Sequence, residues 1–300
     1  MVALKPMMFK RINIEISNIC NLKCSFCPAV ERTKQVMEVK EFSKILSKVA
    51  TRAEEIVPHL LGEPLNHPQL ALILDEADKF GVKINLTTNG ILLNEEKGNL
   101  LLHPVVRQVN FSLQAFEDNF KDQSVGLYLR RIQKFVQLAL ELRPDLYINL
   151  RLWNLQSNIS NLEQSELMTQ MSEIFQFSWS DIHIDIRRRK NFKIRGRLYL
   201  HFDSRFEWPT LKRPEISKKG YCHALTGHIG VHADGTVVPC CLDDKGVLAL
   251  GNLNESSLED ILASPKAINM REGFAKGELR EELCRKCDFI TRFSRKPLSL

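Results

Sequence analysis

Arg11-Ile12-Asn13-Ile14-Glu15-Ile16-Ser17-Asn18-Ile19-Cys20-Asn21-Leu22-Lys23-Cys24-Ser25-Phe26-Cys27 decides how the rest of this 300-residue chain is read. Its first six residues place isoleucine at every second position, the period of a strand with one apolar face, so Arg11–Ile16 is expected to be a strand. Three cysteines spaced x3 and x2 follow it directly. Downstream, short β-branched or apolar runs alternate with amphipathic stretches. Glu55–Leu61, Lys83–Thr88, Gln108–Gln114, Leu146–Trp153 and Asp181–Ile186 read as strands. Lys40–Ala53, Pro68–Phe80, a region after Thr88, Leu127–Leu142 and Ser165–Phe175 read as helices. Six strand-then-helix repeats imply an α/β fold with a parallel sheet, either open or a partial barrel. The cysteine loop then sits at the carboxyl end of the sheet, where parallel α/β folds place their chemistry.

Hydrophobic residues make up 44% of the chain, enough for a large core or for a main domain of roughly 200 residues with an appendage. Met1 to Arg11 contains no apolar stretch of signal-peptide length, and no uncharged apolar run reaches the ~18 residues of a membrane span. A cytoplasmic protein without a membrane partner is expected. Its eight cysteines fall into two groups, Cys20, Cys24 and Cys27, then Cys222, Cys240, Cys241, Cys284 and Cys287, with none between. Cysteines serving as scattered core residues would not leave that gap. A reducing cytosol disfavours a disulfide framework, so metal ligation is the leading reading for both groups.

Three thiolates can hold a 4Fe-4S cluster and leave one iron open to a ligand, whereas zinc ordinarily takes four ligands. Cys20-Asn21-Leu22-Lys23-Cys24-Ser25-Phe26-Cys27 resembles the CxxxCxxC signature of the radical S-adenosylmethionine superfamily, including the aromatic residue before the last cysteine. Further elements follow in that family's order. Gly62-Glu63-Pro64 resembles its GGE-type motif, which binds the methionine amino group, with Leu61 in place of the first glycine. Thr87-Thr88-Asn89-Gly90 resembles its TNG element. Ser112 and Gln114 fall where the family contacts ribose or carboxylate, Arg151 could pair with the methionine carboxylate, and Phe26 would pack near the adenine. The resemblance implies a partial (β/α)6 TIM-like barrel. It also implies reductive cleavage of S-adenosylmethionine to a 5′-deoxyadenosyl radical, which abstracts a substrate hydrogen, with an electron donor such as flavodoxin or ferredoxin. The cofactor carries the hard chemistry, and the protein positions it and excludes water.

In the second group, Cys222 and Cys240 flank an expected hairpin, Ile229–His232 and Thr236–Val238 around Ala233-Asp234-Gly235, and Cys284-Arg285-Lys286-Cys287 adds a CxxC. A short helix is expected over Ser257–Ala263. On spacing alone, four thiolates fit closed zinc as well as an auxiliary 4Fe-4S cluster. Gly235-x4-Cys240, Gly251-Asn252-Leu253 and the late CxxC resemble the shortened SPASM module called a twitch domain. That resemblance implies one auxiliary cluster on Cys222, Cys240, Cys284 and Cys287, hence two 4Fe-4S clusters in all. Cys241 is the spare thiol, which could also replace Cys240.

From Arg187 to Lys219 twelve bases face three acids, a net +9 against +6 for the whole chain. The expected division is therefore a radical core over 1–190, a basic connecting segment over 191–220 and a cluster domain over 221–300. The local charge points to an anionic partner: a small molecule, a peptide or tRNA. Phe192, Tyr199, Phe202, Phe206 and Trp208 interleave with the bases and could stack on RNA. Oxidation of an anionic substrate leads, with radical modification of a peptide or tRNA beside it. The alternative of another class is a cysteine-rich zinc module that binds nucleic acid.

Overall fold

The computed structural model describes residues 7–155, 165–182 and 190–293. Alternating apolar residues place one side of each strand against helices, and the strands assemble into one open sheet. Its parallel centre comprises β1 (Arg11–Ile14), β2 (Glu55–Val57), β3 (Lys83–Thr88), β4 (Val106–Ser112), β5 (Tyr147–Leu155), β7 (Leu198–Ser204) and β8 (His228–Val231). Antiparallel strands close both ends: β6 (Asn191–Arg195) beside β7, and β9 (Thr236–Val238) beside β8, followed by β10 (Gly251–Asn252). The order is β10-β9-β8-β1-β2-β3-β4-β5-β7-β6. The fold is the α/β arrangement expected, an open, mostly parallel sheet consistent with a partial barrel and followed by a hairpin-bearing C-terminal region.

On the outer face Ile12, Ile14, Ile84, Leu86, Val109, Phe111, Ile148 and Leu150 are fully buried. They join the apolar faces of α1 (Val39–Val49), α2 (Leu70–Lys79), α5 (Gly126–Leu142) and α6 (Glu166–Phe175). The shorter helices α3 (Glu95–Leu101) and α4 (Gln114–Asn119) follow β3 and β4, and Asn94 caps α3 by accepting from Lys97 N at 2.8 Å. In the C-terminal region, Ser257 caps α7 (Leu258–Leu262), while α8 (Pro265–Lys276) starts on a Ser264 cap with proline in its first turn. A four-residue helix, α9 (Glu282–Arg285), carries Cys284.

The inner face is polar, and its residues recur in one pattern: an Ile or Val, an Asn, then an apolar residue, at Asn13, Asn85, Asn110 and Asn149. Asn149 donates to Asn110 (2.9 Å), Asn110 to Asn85 (2.8 Å), and Asn85 to Glu55 (3.0 Å), which pairs with Arg107 at 2.6 Å. A hydrogen-bonded ladder thus crosses four strands where a barrel core would otherwise pack side chains.

Several elements differ from the sequence reading. The first two strands are shorter than expected, because Glu15–Asn18 and His59–Glu63 turn away to carry site residues. Gln114 opens α4 instead of ending a strand. The sixth expected strand, Asp181–Ile186, is not described as one: Asp181 ends a 3-10 turn, and 183–189 lie outside the described residues. The stretch expected to connect domains instead supplies β6 and β7, and β8 continues the same sheet beside β1. The aromatic residues of that stretch pack within the protein. Phe202 is fully buried, Tyr199 stacks on Tyr147 at 6.2 Å, and Phe206 contacts Phe289 edge-on at 5.4 Å. Among the described residues no helix is long and apolar enough to cross a membrane.

Glu15, fully buried just beyond β1, accepts two hydrogen bonds from Arg32 (2.7 and 2.8 Å), one from Ala233 N (3.1 Å) and one from Leu61 N (3.4 Å). Removing one partner of a buried pair strands the other charge. Glu15→Gln is therefore expected to lower unfolding free energy by about 3 kcal/mol or more. Glu76→Gln, which breaks the surface Glu76–Lys79 pair, should leave stability nearly unchanged. Urea denaturation of both variants provides the comparison.

Candidate functional site

The cysteine loop spans 18–36 and is closed at its neck. Ser17 bridges Val36, Asn18 accepts from Gln35 N at 2.8 Å, and its side chain donates to Thr33 O at 2.8 Å. Within it, Cys20, Cys24 and Cys27 border a cavity of about 580 Å³ at the carboxyl ends of the central strands. Phe26, Gly62, Glu63, Thr88, Asn89, Ser112, Gln114 and Arg151 border the same cavity. Pro64 does not; it starts the buried 3-10 turn Pro64–Asn66 behind Glu63.

Glu63 is 2% exposed and ties two of these loops together. Its carboxylate accepts from Thr88 Oγ1 (2.6 Å), Asn89 N (2.7 Å) and Leu65 N (3.0 Å). Burial pushes its pKa up, against the opposing effect of these donors. Gly62 has φ +80°, and a Cβ there would lie 2.2 Å from Ser17 O. Only glycine permits this close approach of the turn to the cysteine loop. Tyr128, buried in α5, donates to Asn89 O at 2.8 Å and fixes the Thr88-Asn89 corner from behind.

Hydrogen bonds converge on the sulfurs. Asn119, at the end of α4, donates to Cys24 Sγ at 3.1 Å, Leu22 N to Cys20 Sγ at 3.4 Å, and Asn89 Nδ2 to Cys20 Sγ at 3.8 Å. Asp118 accepts from Ser25 Oγ at 2.7 Å and holds the loop against α4. N–H groups aimed at sulfur suit thiolates. Among the described residues no three His, Cys, Asp or Glu side chains converge on a point that one metal ion could occupy. A cubane asks for something else, since each thiolate binds its own corner iron, and three cysteines spread along one wall of an open cavity fit it. Asp118 and Asn119 were not anticipated; six residues past the fourth strand, they carry no local signal of a role at a cysteine loop about 95 residues earlier.

The second cysteine group borders a cavity of about 500 Å³, into which Cys222, Cys240, Cys241, Cys284 and Cys287 all open. Burial raises the pKa of each thiol, Cys222 to about 12. Neutral thiols gathered in this way become favourable thiolates only beside cationic iron or zinc. Cys222, Cys240, Cys284 and Cys287 pack against the hydrophobic core. After burial, Cys240 feels the charges of Cys241, Cys222 and Cys284, and Cys222 feels those of Cys287 and Cys241, so the five thiols are mutually close.

The two cavities share a wall made of His59, Leu60, Trp153, Phe206 and Trp208. Trp153 Nε1 donates to His201 Nδ1 at 2.7 Å. Burial, then the charge of Arg151, lowers the pKa of His59 to about 3, and the same two causes lower that of His201 to about 4, so both rings are neutral at pH 7.

A profile of the Radical SAM superfamily matches residues 14–153, and one of the SPASM iron-sulfur cluster-binding domain matches 222–288. A probable GTP 3′,8-cyclase of Methanococcus vannielii is 26% identical over 297 residues, covering 90% of this chain and 97% of its own. The GTP 3′,8-cyclase of Desulforamulus reducens is 27% identical over 139 residues, and the match spans only 42% of its length. Among solved structures, BtrN in complex with AdoMet and 2-DOIA superposes with a TM-score of 0.62 at 18% identity, over 95% of this chain and 94% of that one. Streptococcus suis SuiB bound to its precursor peptide SuiA gives 0.56 at 15% identity, covering 94% and 71%. At these identities the structures establish likeness of fold.

The Asn119–Cys24 contact yields a prediction. A hydrogen bond to a cluster sulfur favours the more reduced, more negative state. Asn119→Ala should shift the first cluster's midpoint to more negative potential by up to about 60 mV, the one-electron equivalent of about 1.4 kcal/mol. Potentiometric EPR titration of the reconstituted protein provides the check.

Proposed function

The chain is a radical S-adenosylmethionine enzyme with a C-terminal SPASM domain, whose cofactors are S-adenosylmethionine and two 4Fe-4S clusters, and from this premise we propose that it oxidises or otherwise modifies an anionic substrate held between its two cysteine-lined cavities. The observation that carries this reading is the shared wall. A substrate resting against His59, Trp153 and Trp208 would have one cysteine group on either side. When bound beside Cys20, Cys24 and Cys27, S-adenosylmethionine would supply hydrogen-abstracting radical chemistry. The chain's residues position and enclose. Cys20, Cys24 and Cys27 would hold the first cluster. Glu63, with Gly62 and Pro64 shaping its turn, would receive the methionine ammonium, since a buried carboxylate is a strong acceptor for a cation. Thr88 and Asn89 fix Glu63, Ser112 and Gln114 offer polar groups to the ribose, and Phe26 offers a ring to the adenine.

For the auxiliary cluster, the packing of Cys222, Cys240, Cys284 and Cys287 against the same core, from which Cys241 stands apart, supports that set of four. In the oxidative reading, a cluster held by these four cysteines would supply an acceptor for the second electron of the oxidation. A flavodoxin or ferredoxin would supply the initiating electron. The pairing of β7 with β5 and of β6 with β7 supports a domain division that keeps both strands with the core. Peptide modification is the second reading, supported by the fold shared with SuiB. A zinc adaptor has no counterpart in the matched domains.

Anaerobic reconstitution is expected to give about eight irons per chain and 5′-deoxyadenosine formation with dithionite. Replacing Cys20, Cys24 and Cys27 with Ala should abolish the cleavage and leave about four irons. Replacing Cys284 and Cys287 should also leave about four, with cofactor cleavage retained and substrate turnover lost. Full turnover in that second variant would make the auxiliary cluster a structural brace.

A further inference from the structure

Arg151 lies on the inner face of β5 and borders the first cavity. Its guanidinium donates from Nη1 to Thr87 Oγ1 at 3.2 Å and stacks over the Trp153 ring at 4.5 Å. Its Nε is buried without a hydrogen-bond partner, and among the described residues no carboxylate pairs with it. A guanidinium removed from water is costly unless a counter-charge arrives. Burial and the nearby charge of Arg11 lower its pKa to about 9, which still leaves it cationic at pH 7. An anion is the missing partner.

The surroundings indicate which anion. His59 Nδ1 and Asn13 Oδ1, like Arg151 Nε, are buried and without partners, and Asn13 Nδ2 donates to the His59 carbonyl at 3.2 Å. His59 and Trp153 face both cavities, so these idle polar groups cluster where the cavities meet. The ammonium and carboxylate of S-adenosylmethionine sit on one carbon and must be received close together. Yet among the positive charges acting on Glu63, the strongest is that of Lys97, not Arg151. Arg151 is held by Thr87 Oγ1, to which Asn110 also donates at 3.2 Å, whereas Glu63 is held by Thr88 Oγ1 and Asn89 N.

We propose that Arg151, stacked on Trp153 and flanked by His59 and Asn13, receives a phosphate or carboxylate of the substrate where the two cavities meet, and not the carboxylate of S-adenosylmethionine. This rests on the function proposed above and moves Arg151 from the cofactor to the substrate. Planar stacking and a fork of N–H donors suit a bidentate oxyanion. The neutral imidazole and the amide add uncharged polar contacts for a hydroxylated neighbour of that anion.

The test uses the anaerobically reconstituted holoenzyme, wild type and Arg151→Met, with inorganic phosphate and acetate as probes and chloride matching ionic strength. Thermal stabilisation by each probe is measured with S-adenosylmethionine bound, and cofactor affinity is measured by equilibrium dialysis. Wild type should be stabilised by at least one probe; phosphate alone indicates a phosphorylated substrate and acetate alone a carboxylate. Arg151→Met should weaken that response roughly tenfold or more while changing cofactor affinity less than about threefold. Arg151→Lys, which keeps the charge but loses the fork, should respond in between and serves if the Met variant does not fold. The proposal is overturned by an anion response unchanged in the variants, by no response in wild type, or by cofactor affinity falling in step with it. Cofactor cleavage in wild type reports separately on the radical reading.

Discussion

Everything placed around the two cavities depends on where Glu15 puts its carboxylate. It lies one residue past β1 and is fully buried. Its donors come from three places: Arg32 in the cysteine loop, Leu61 before the Gly62 turn, and Ala233 in the C-terminal hairpin. Arg32 also donates from Nε to Asp244 O at 2.7 Å, extending the clamp to the segment after Cys240 and Cys241. Compared with a well-packed apolar replacement such a pair contributes little net stability. Its consequence is positional. The loop carrying Cys20, the turn carrying Glu63 and the strand pair leading to Cys240 are all referred to one group, so the walls of the two cavities keep their spacing.

The same constraint explains why so much of the site could be read locally. CxxxCxxC, Gly62-Glu63 and Thr88-Asn89 are short, each follows a strand, and each strand announces itself by the apolar residues it gives to the helices. Gly62 is dictated by a close approach to Ser17 O, so a glycine at that point signals geometry as well as family. The inner-face ladder was legible too, in the recurrence of Ile12-Asn13, Ile84-Asn85, Val109-Asn110 and Ile148-Asn149, but simple alternation already accounts for a polar residue there. Only pairing across strands turns three of these asparagines and Glu55 into a hydrogen-bonded layer, with Asn13 left outside it.

What stayed hidden depends on partners distant in sequence. Nothing near His228 specifies a parallel place beside Arg11, and that pairing joins the C-terminal region to the core sheet. The basic stretch is shaped by the fold in a related way. Interleaved aromatic and basic residues suit a nucleic-acid surface, but here strand periodicity sends Phe202 into the core. Arg292 then gathers Phe206 and Phe289 by cation–π contact at 5.4 and 4.7 Å while pairing with Asp203 at 3.0 Å. Charge density along a sequence says where cations are, and the fold decides which of them meet a ligand.

Phe206, held by that arginine, and Trp208, whose ring lies 5.8 Å from that of Phe206, complete the wall between the cavities, and the composition of the wall bears on the chemistry proposed for it. A carbon radical generated in a cavity attacks whatever C–H bond it reaches, and alkyl C–H bonds yield more readily than aryl ones. Of the five shared residues only Leu60 presents an alkyl chain; His59, Trp153, Phe206 and Trp208 present rings. Such a wall excludes water and resists self-damage, and its polar atoms are few and fixed: Trp153 Nε1 is already committed to His201. Unpartnered atoms of Arg151, His59, Asn13 and Gln114 are exceptions around the two cavities, with Asn13 bonded to the His59 carbonyl. An otherwise unreactive junction with one cationic, hydrogen-bonding corner can hold a polar anionic molecule in a single orientation, leaving its most exposed alkyl hydrogen turned toward the first cavity.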